Sequence, residues 1–325
     1  MDGTPQALSY NDIRLAAESI AGAVRPVTLA PVDPGAIASG GVGQCQVWLA
    51  LEFMQFSGSV KLRGAQNLVS THRADATLPA AGLTIACAGN AGLACAWAAK
   101  ATGTRAAIFV PATTPPRRID TLQALAADVR RAGVLQTEAE AACREYAASS
   151  GALLVDASQD PLFTAGMGTL MVEIHQRIPD LDTVVVAAVS GGLFAGIATA
   201  ANNFGVRVVA VEHQDCRGLH AALESRRVLE IGIDSIAADT PGAHRVSAMA
   251  LDAVQRFDVR SILVGDNDIA AARDALWEHR RLMVEPAGAT ALAGLLTGAY
   301  TPEPGEKVCV VLSGANIDHW LPPFR

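Results

Sequence analysis

Unbroken apolar runs alternate along this chain with glycine-rich breaks and with stretches whose apolar positions recur every three or four residues. Residues 183–189 contain no charge and are rich in β-branched side chains, which predicts a strand buried on both faces. Shorter runs predict strands over 46–53, 83–88, Ala106–Val110, 153–155, 206–211, 261–264 and Lys307–Leu312. Ile13, Leu15, Ala16 and Ile20 lie along one side of a predicted helix over 8–22. The same reasoning predicts helices over 62–68, 93–100, 117–132, 138–148, 166–175, 193–201, 269–279 and 287–296, and a connecting loop over 26–43. Strand, loop and helix repeated at this spacing predict parallel sheet with crossover helices, an α/β fold.

The breaks carry the candidate chemistry. In Ser57-Gly58-Ser59-Val60-Lys61-Leu62-Arg63-Gly64-Ala65 one lysine leads from a small-residue turn into an apolar run. An amine at the edge of a buried layer loses hydration, which lowers its pKa and favours the uncharged form that attacks carbonyls. The alternative is a lysine that only reaches out to solvent. Ser190-Gly191-Gly192 follows the buried strand and opens a helix, where free N–H groups could hold a phosphate or simply make a turn. Cys87-Ala88-Gly89-Asn90-Ala91-Gly92 repeats that arrangement and could receive a carboxylate, or Asn90 could only cap the helix. Ser313 and Asn316 sit just past the last strand, where open α/β sheets bind ligands. No P-loop or G-x-G-x-x-G fingerprint accompanies them.

Composition narrows the setting. A chain of 325 residues, 50% hydrophobic and 18% charged, is long enough for two folded domains sharing a cleft. A net charge of −7 argues against a nucleic-acid surface. The sequence shows neither a membrane span nor a signal peptide. Its six scattered cysteines suit reduced thiols in the cytoplasm.

Taken in order, these segments resemble the serine/threonine dehydratases of the tryptophan-synthase-β-like pyridoxal-phosphate enzymes, a family that includes serine racemase. Leu51-Glu52 with the Lys61 segment, the Asn90 loop, Gly166-Met167-Gly168-Thr169, Ser190-Gly191-Gly192-Leu193, Val284-Glu285-Pro286-Ala287-Gly288-Ala289 and Leu312-Ser313-Gly314-Ala315-Asn316 carry the likeness. The resemblance implies two open, mostly parallel α/β domains with the active site in the cleft between them (fold type II). Residues 1–70 with 151–325 would anchor the cofactor, and 71–150 would form a smaller substrate-loop domain. It implies pyridoxal 5'-phosphate (PLP) bound by Lys61, with Ser190, Gly191, Gly192 and Leu193 around its phosphate. Ser313 would meet the pyridine nitrogen, with Asn90 and Glu285 also beside the cofactor. The substrate would meet Ser59, Cys87, Ala88, Gly89, Asn90 and Ala91.

Departures refine the expected reaction. The racemase branch has a hydroxyl residue where Ala88 stands, so elimination is favoured over racemisation. Val60 replaces an aromatic, Cys87 a serine, Ala91 a histidine and Ala315 a glycine, and the phosphate loop has only two glycines. Glu212 occupies a position where some relatives bind a cation, but Gly218 replaces a later carboxylate ligand. No arginine is assigned to an acidic substrate, since Arg63 is not expected to be free. The resulting expectation is a cytoplasmic, homodimeric PLP-dependent ammonia-lyase that dehydrates serine or threonine. That enzyme would be expected to have no regulatory domain and no nucleic-acid or membrane partner. A β-replacement enzyme, a 3-hydroxyaspartate-type dehydratase and a non-catalytic PLP or amino-acid binder are the alternatives.

Overall fold

Ten strands assemble into two sheets in the computed structural model, which describes residues 7–33, 45–232, 235–236 and 244–317. The larger sheet contains β1 (Leu29–Pro31), β2 (Gln46–Leu51), β7 (Thr183–Ala187), β8 (Arg207–His213), β9 (Val259–Val264) and β10 (Lys307–Leu312). Their order is β1-β2-β10-β7-β8-β9, all parallel except β1, which runs antiparallel to β2. The smaller sheet is wholly parallel, in the order β5-β4-β3-β6, from β3 (Leu83–Ala86), β4 (Ala106–Val110), β5 (Asp128–Arg131) and β6 (Leu153–Leu154). Val184, Val185 and Val186 of β7 are fully buried, as are Val308 and Val310 of β10. Apolar runs on both faces thus put these strands at the middle of the larger sheet.

Helices cover both sheets. α1 (Tyr10–Ser19) starts from a capping box in which Ser9 and Asp12 satisfy each other's backbone N–H. α2 (Lys61–Ala74), α6 (Pro161–Arg177) and α7 (Gly192–Phe204) form one packed layer. Gly64 of α2 lies against Phe163 and Gly166 of α6, so closely that a Cβ at Gly64 would stand 2.3 Å from the Phe163 ring. α3 (Asn90–Thr102), α4 (Pro116–Ala124) and α5 (Gln136–Ser150) accompany the smaller sheet. α8 (Gly218–Ser225), α9 (Ala248–Arg256), α10 (Asp266–Arg280) and α11 (Pro286–Leu296) complete the larger. Among the described residues no helix is long and apolar enough to cross a membrane.

Several local expectations change. The loop over 26–43 contains β1, a proline-ended edge strand too short to show an alternation; 34–43 lie outside the described residues. The single helix over 117–132 divides into α4 and β5, separated where Ala126 takes a positive φ of 61°. β5 reads Asp-Val-Arg-Arg, a charged and largely exposed edge that carries no apolar pattern. α6 begins at Pro161 behind an Asp160 cap, so Gly166-Met167-Gly168-Thr169 lies inside that helix and not at its start. α8 and α9 were not anticipated, although Ser247 caps α9 through the Ala250 N–H at 3.1 Å.

Candidate active site

Lys61 is the first residue of α2, reached from β2 through a 3-10 turn (Glu52–Met54) and the bend at Gly58. A cation there meets the positive end of the helix dipole. The side chain is also half-buried. Burial holds its pKa below the usual lysine range, against the opposing pull of Cys87 and Glu285. The amine is therefore available for attack on an aldehyde at a lower pH than a surface lysine.

Two residues on, Arg63 anchors the segment. Its fully buried guanidinium grips Glu52 through Nε and Nη2, each at 2.8 Å, and reaches Glu173 through Nη1 at 2.6 Å. Burial alone would lower its pKa; the Glu52 and Glu173 carboxylates reverse that and drive it upward. Glu173 also accepts the Val27 N–H at 2.6 Å. Arg63 is engaged in holding α2 to α6 and the N-terminal segment, as the sequence led us to expect.

A cavity opens beside Lys61 at the C-terminal ends of β7 and β10, where open α/β sheets place ligands. Ser59, Asn90, Ser190, Glu285 and Ser313 give it polar groups. Val60, Ala187, Val189, Leu193 and Ala287 give it apolar ones. Gly191 has a φ of +86°, and a Cβ on it would lie 2.6 Å from that of Ala250. Glycine thus lets α9 close over the loop while α7 begins at Gly192 with no side chain capping its N–H groups. Uncapped N–H groups at a helix start suit an anion.

Ser59 is 1% exposed, yet its hydroxyl has no hydrogen-bond partner. A buried polar atom left unpaired this way ordinarily awaits a ligand or water. The buried Ser57 and Thr164 hydroxyls are unpaired too. Asn90 does not cap α3: it is the first residue of that helix, and its amide bonds Glu285 Oε1 at 2.6 Å instead. A desolvated amine, an uncapped helix start and a buried unpaired hydroxyl around one cavity fit an aldehyde cofactor that carries a phosphate.

Eight of the expected site residues line this cavity: Lys61, Ser59, Asn90, Ser190, Gly191, Leu193, Glu285 and Ser313. Gly192 starts α7 just behind. Cys87, Ala88 and Gly89 build the turn before Asn90 and Ala91 follows it in α3; none of the four is part of the wall. Glu212, the possible cation ligand, accepts N–H groups of Leu219 and His220 at 2.8 and 2.7 Å, at the start of α8. Burial pushes its carboxyl up to about 8 despite those two donors. Among the described residues no three His, Cys, Asp or Glu side chains converge as a metal site. Sequence reasoning did not assign the apolar walls Ala187, Val189 and Ala287, or the partners of Asn316, which bonds Asn90 and the Ser57 carbonyl. Beside the lysine loop, Phe56 stacks on Trp97 of α3 at 4.8 Å and 6°, with the Arg25 guanidinium 4.2 Å from the Phe56 ring centre.

This combination defines a lysine-anchored carbonyl-cofactor enzyme of two-sheet α/β architecture. Residues 35–314 match the family described as "Pyridoxal-phosphate dependent enzyme", and the chain belongs to that family. It is a PLP-dependent enzyme. It is 34% identical over 274 residues to an L-threonine ammonia-lyase of Geobacter sulfurreducens, covering 84% of this chain and 67% of that one. It is 31% identical over 319 residues to a catabolic L-threonine dehydratase of Staphylococcus aureus, covering 97% and 91%. A crystal structure of a PLP-dependent aspartate racemase superposes with a TM-score of 0.86 at 26% identity, over 97% and 98% of the two chains.

Proposed function

We propose that this chain is an ammonia-lyase that removes water from L-serine or L-threonine, giving a 2-oxo acid and ammonia. The observation that carries this reading is the desolvated Lys61 amine in a cavity whose other polar side chains are small hydroxyls, an amide and one carboxylate. Among the described residues that wall offers no cation besides Lys61, which favours a small uncharged side chain over an acidic one.

In this reading Lys61 would hold PLP. Ser190, Gly191, Gly192 and Leu193 would receive its phosphate at the start of α7, Ser313 would serve its ring nitrogen, and Asn90 and Glu285 would be its other neighbours. PLP supplies an electron sink for negative charge at Cα. Ser59 and Asn90 orient the substrate carboxylate, with Cys87, Ala88, Gly89 and Ala91 shaping the loop that presents Asn90. Lys61 Nζ, set on the rigid start of α2, accepts the Cα proton. Val60, Leu193 and Ala287 keep bulk water from the reacting carbon. The proton taken up by Lys61 Nζ passes to the β-hydroxyl, which leaves as water, and the enamine that remains hydrolyses to the 2-oxo acid and ammonia. Ala88 has no proton to deliver, which supports elimination over racemisation.

Purified protein supplied with PLP and L-serine or L-threonine tests this. Pyruvate or 2-oxobutyrate should form with equimolar ammonia, whether or not a thiol nucleophile is added. A thiol-substituted amino acid formed in place of the 2-oxo acid would establish β-replacement instead. No product from either substrate would remove the proposal. The reading also includes a substrate-loop unit over 71–150 set against 1–70 and 151–325, a homodimer and a cytoplasmic location. Limited proteolysis, sedimentation and cell fractionation check these in turn.

A further inference from the structure

Two side-chain amides cross one wall of the cavity. Asn316 Nδ2 donates to the Ser57 carbonyl at 2.9 Å and to Asn90 Oδ1 at 2.7 Å. Asn90 Nδ2 donates to Glu285 Oε1 at 2.6 Å, and Glu285 Oε2 accepts the Asn316 N–H at 3.2 Å. The relay ends at a peptide carbonyl on one side and a carboxylate on the other, and both are pure acceptors. Each end fixes the orientation of the amide beside it. Turning either amide end for end would set oxygen against oxygen and leave a donor without an acceptor.

The backbone makes room for this arrangement. A Cβ on Gly58, whose φ is +75°, would stand 2.4 Å from Asn316 Oδ1. One on Gly314 would stand 2.4 Å from Glu285 Oε1. Two close approaches, from segments far apart in the chain, converge on the same few atoms. An amide nitrogen carries two hydrogens. Asn316 uses both, whereas Asn90 uses one on Glu285 and keeps one for a ligand in the cavity it lines.

We propose that Asn316 is a positioning residue for this reaction. It keeps the Asn90 nitrogen available to the ligand and ties the first turn of α3 to the lysine loop, so that two walls of the cavity hold a common register. The turnover arm of the test rests on the dehydratase reading; the exchange arm does not.

The variants are Asn316→Ala and Asn316→Asp, the second keeping the shape while removing both side-chain donors. With PLP bound, each should lower kcat for serine or threonine about tenfold or more, while the visible cofactor band is retained. In an Asn90→Ala background, Asn316→Ala should change turnover less than about twofold, because its effect runs through Asn90. Independent, multiplying losses would overturn the proposal. So would wild-type turnover in Asn316→Asp, which would mean that Asn316 only fills space. Hydrogen exchange at the amides of residues 87–92 should quicken at least about fivefold in Asn316→Ala, since a tertiary restraint on that turn is lost. Unchanged exchange would overturn the relay even if the wild-type protein makes no 2-oxo acid, an outcome that would separately defeat the substrate reading.

Discussion

The two ends of β10 are opposites. At its start, Glu306 is 7% exposed and fully engaged: Oε1 accepts the Thr183 hydroxyl at 2.6 Å and the Tyr300 hydroxyl, while Oε2 accepts the Glu303 N–H at 2.6 Å. Arg207 adds a contact at 3.5 Å. Burial pushes the Glu306 carboxyl upward, but donation from Thr183 and Tyr300 brings it below the usual carboxylate range. At the far end Ser313 opens onto the cavity, with the unpaired Ser59 hydroxyl and the desolvated Lys61 amine nearby. One end closes the sheet by satisfying every group it buries, and the other buries groups that a ligand must complete. At the two ends of this strand, saturation goes with support and incompleteness with the cavity, a distinction that composition alone would miss.

The largest separation of the two ends should come from Lys61→Ala. It should lower 2-oxo acid formation by about 10^3-fold or more, on the scale of a lost general base, abolish the visible cofactor band and leave urea unfolding of the cofactor-free protein close to wild type. Activity surviving that change would collapse the comparison. Glu306→Ala should do the reverse. Removing the acceptor that the Thr183 and Tyr300 hydroxyls share, which leaves them only their mutual 3.3 Å bond and Arg207, should cost about 2–4 kcal/mol in urea unfolding, with kcat/KM of the folded enzyme within about twofold. A catalytic loss without a stability loss would show that the two ends are not separate.

Ser59→Ala sharpens the contrast with a smaller effect. Removing a hydroxyl that has no partner should leave stability within about 0.5 kcal/mol. Losing a donor to the substrate carboxylate should raise KM about tenfold. The smallest effect concerns pH. Because Lys61 has a folded pKa below its unfolded one, the unfolded chain binds more protons between the two values. The cofactor-free protein should therefore gain stability as pH rises through that window and lose it as pH falls. Lys61→Met should flatten this part of the profile, as read from unfolding midpoints at matched pH.

Much of the supported end was legible in the sequence, and about half of the functional end. β4 and β10 were predicted to their final boundaries because uninterrupted apolar runs leave little choice about where a buried strand stops. Lys61, Ser190 and Ser313 could be singled out because small or polar residues directly follow or precede such runs. β5 could not, since an exposed charged edge carries no periodicity. Nor could the pairing of Asn316 with the Ser57 carbonyl, 259 positions away, which depends on β2 and β10 lying side by side in the larger sheet. α9 left a readable sign in Ser247, but its task of packing Ala250 against Gly191 is a tertiary fact.

The Phe56–Trp97 stack has a practical consequence. Phe56 directly precedes the lysine loop, and Trp97 rides on the helix that begins with Asn90, so the indole spans the joint between the two walls of the cavity. With the chain's other three indoles replaced by phenylalanine, Trp97 becomes a built-in fluorophore. Its emission would report, in a stopped-flow instrument and without any attached dye, whether ligand binding disturbs that joint.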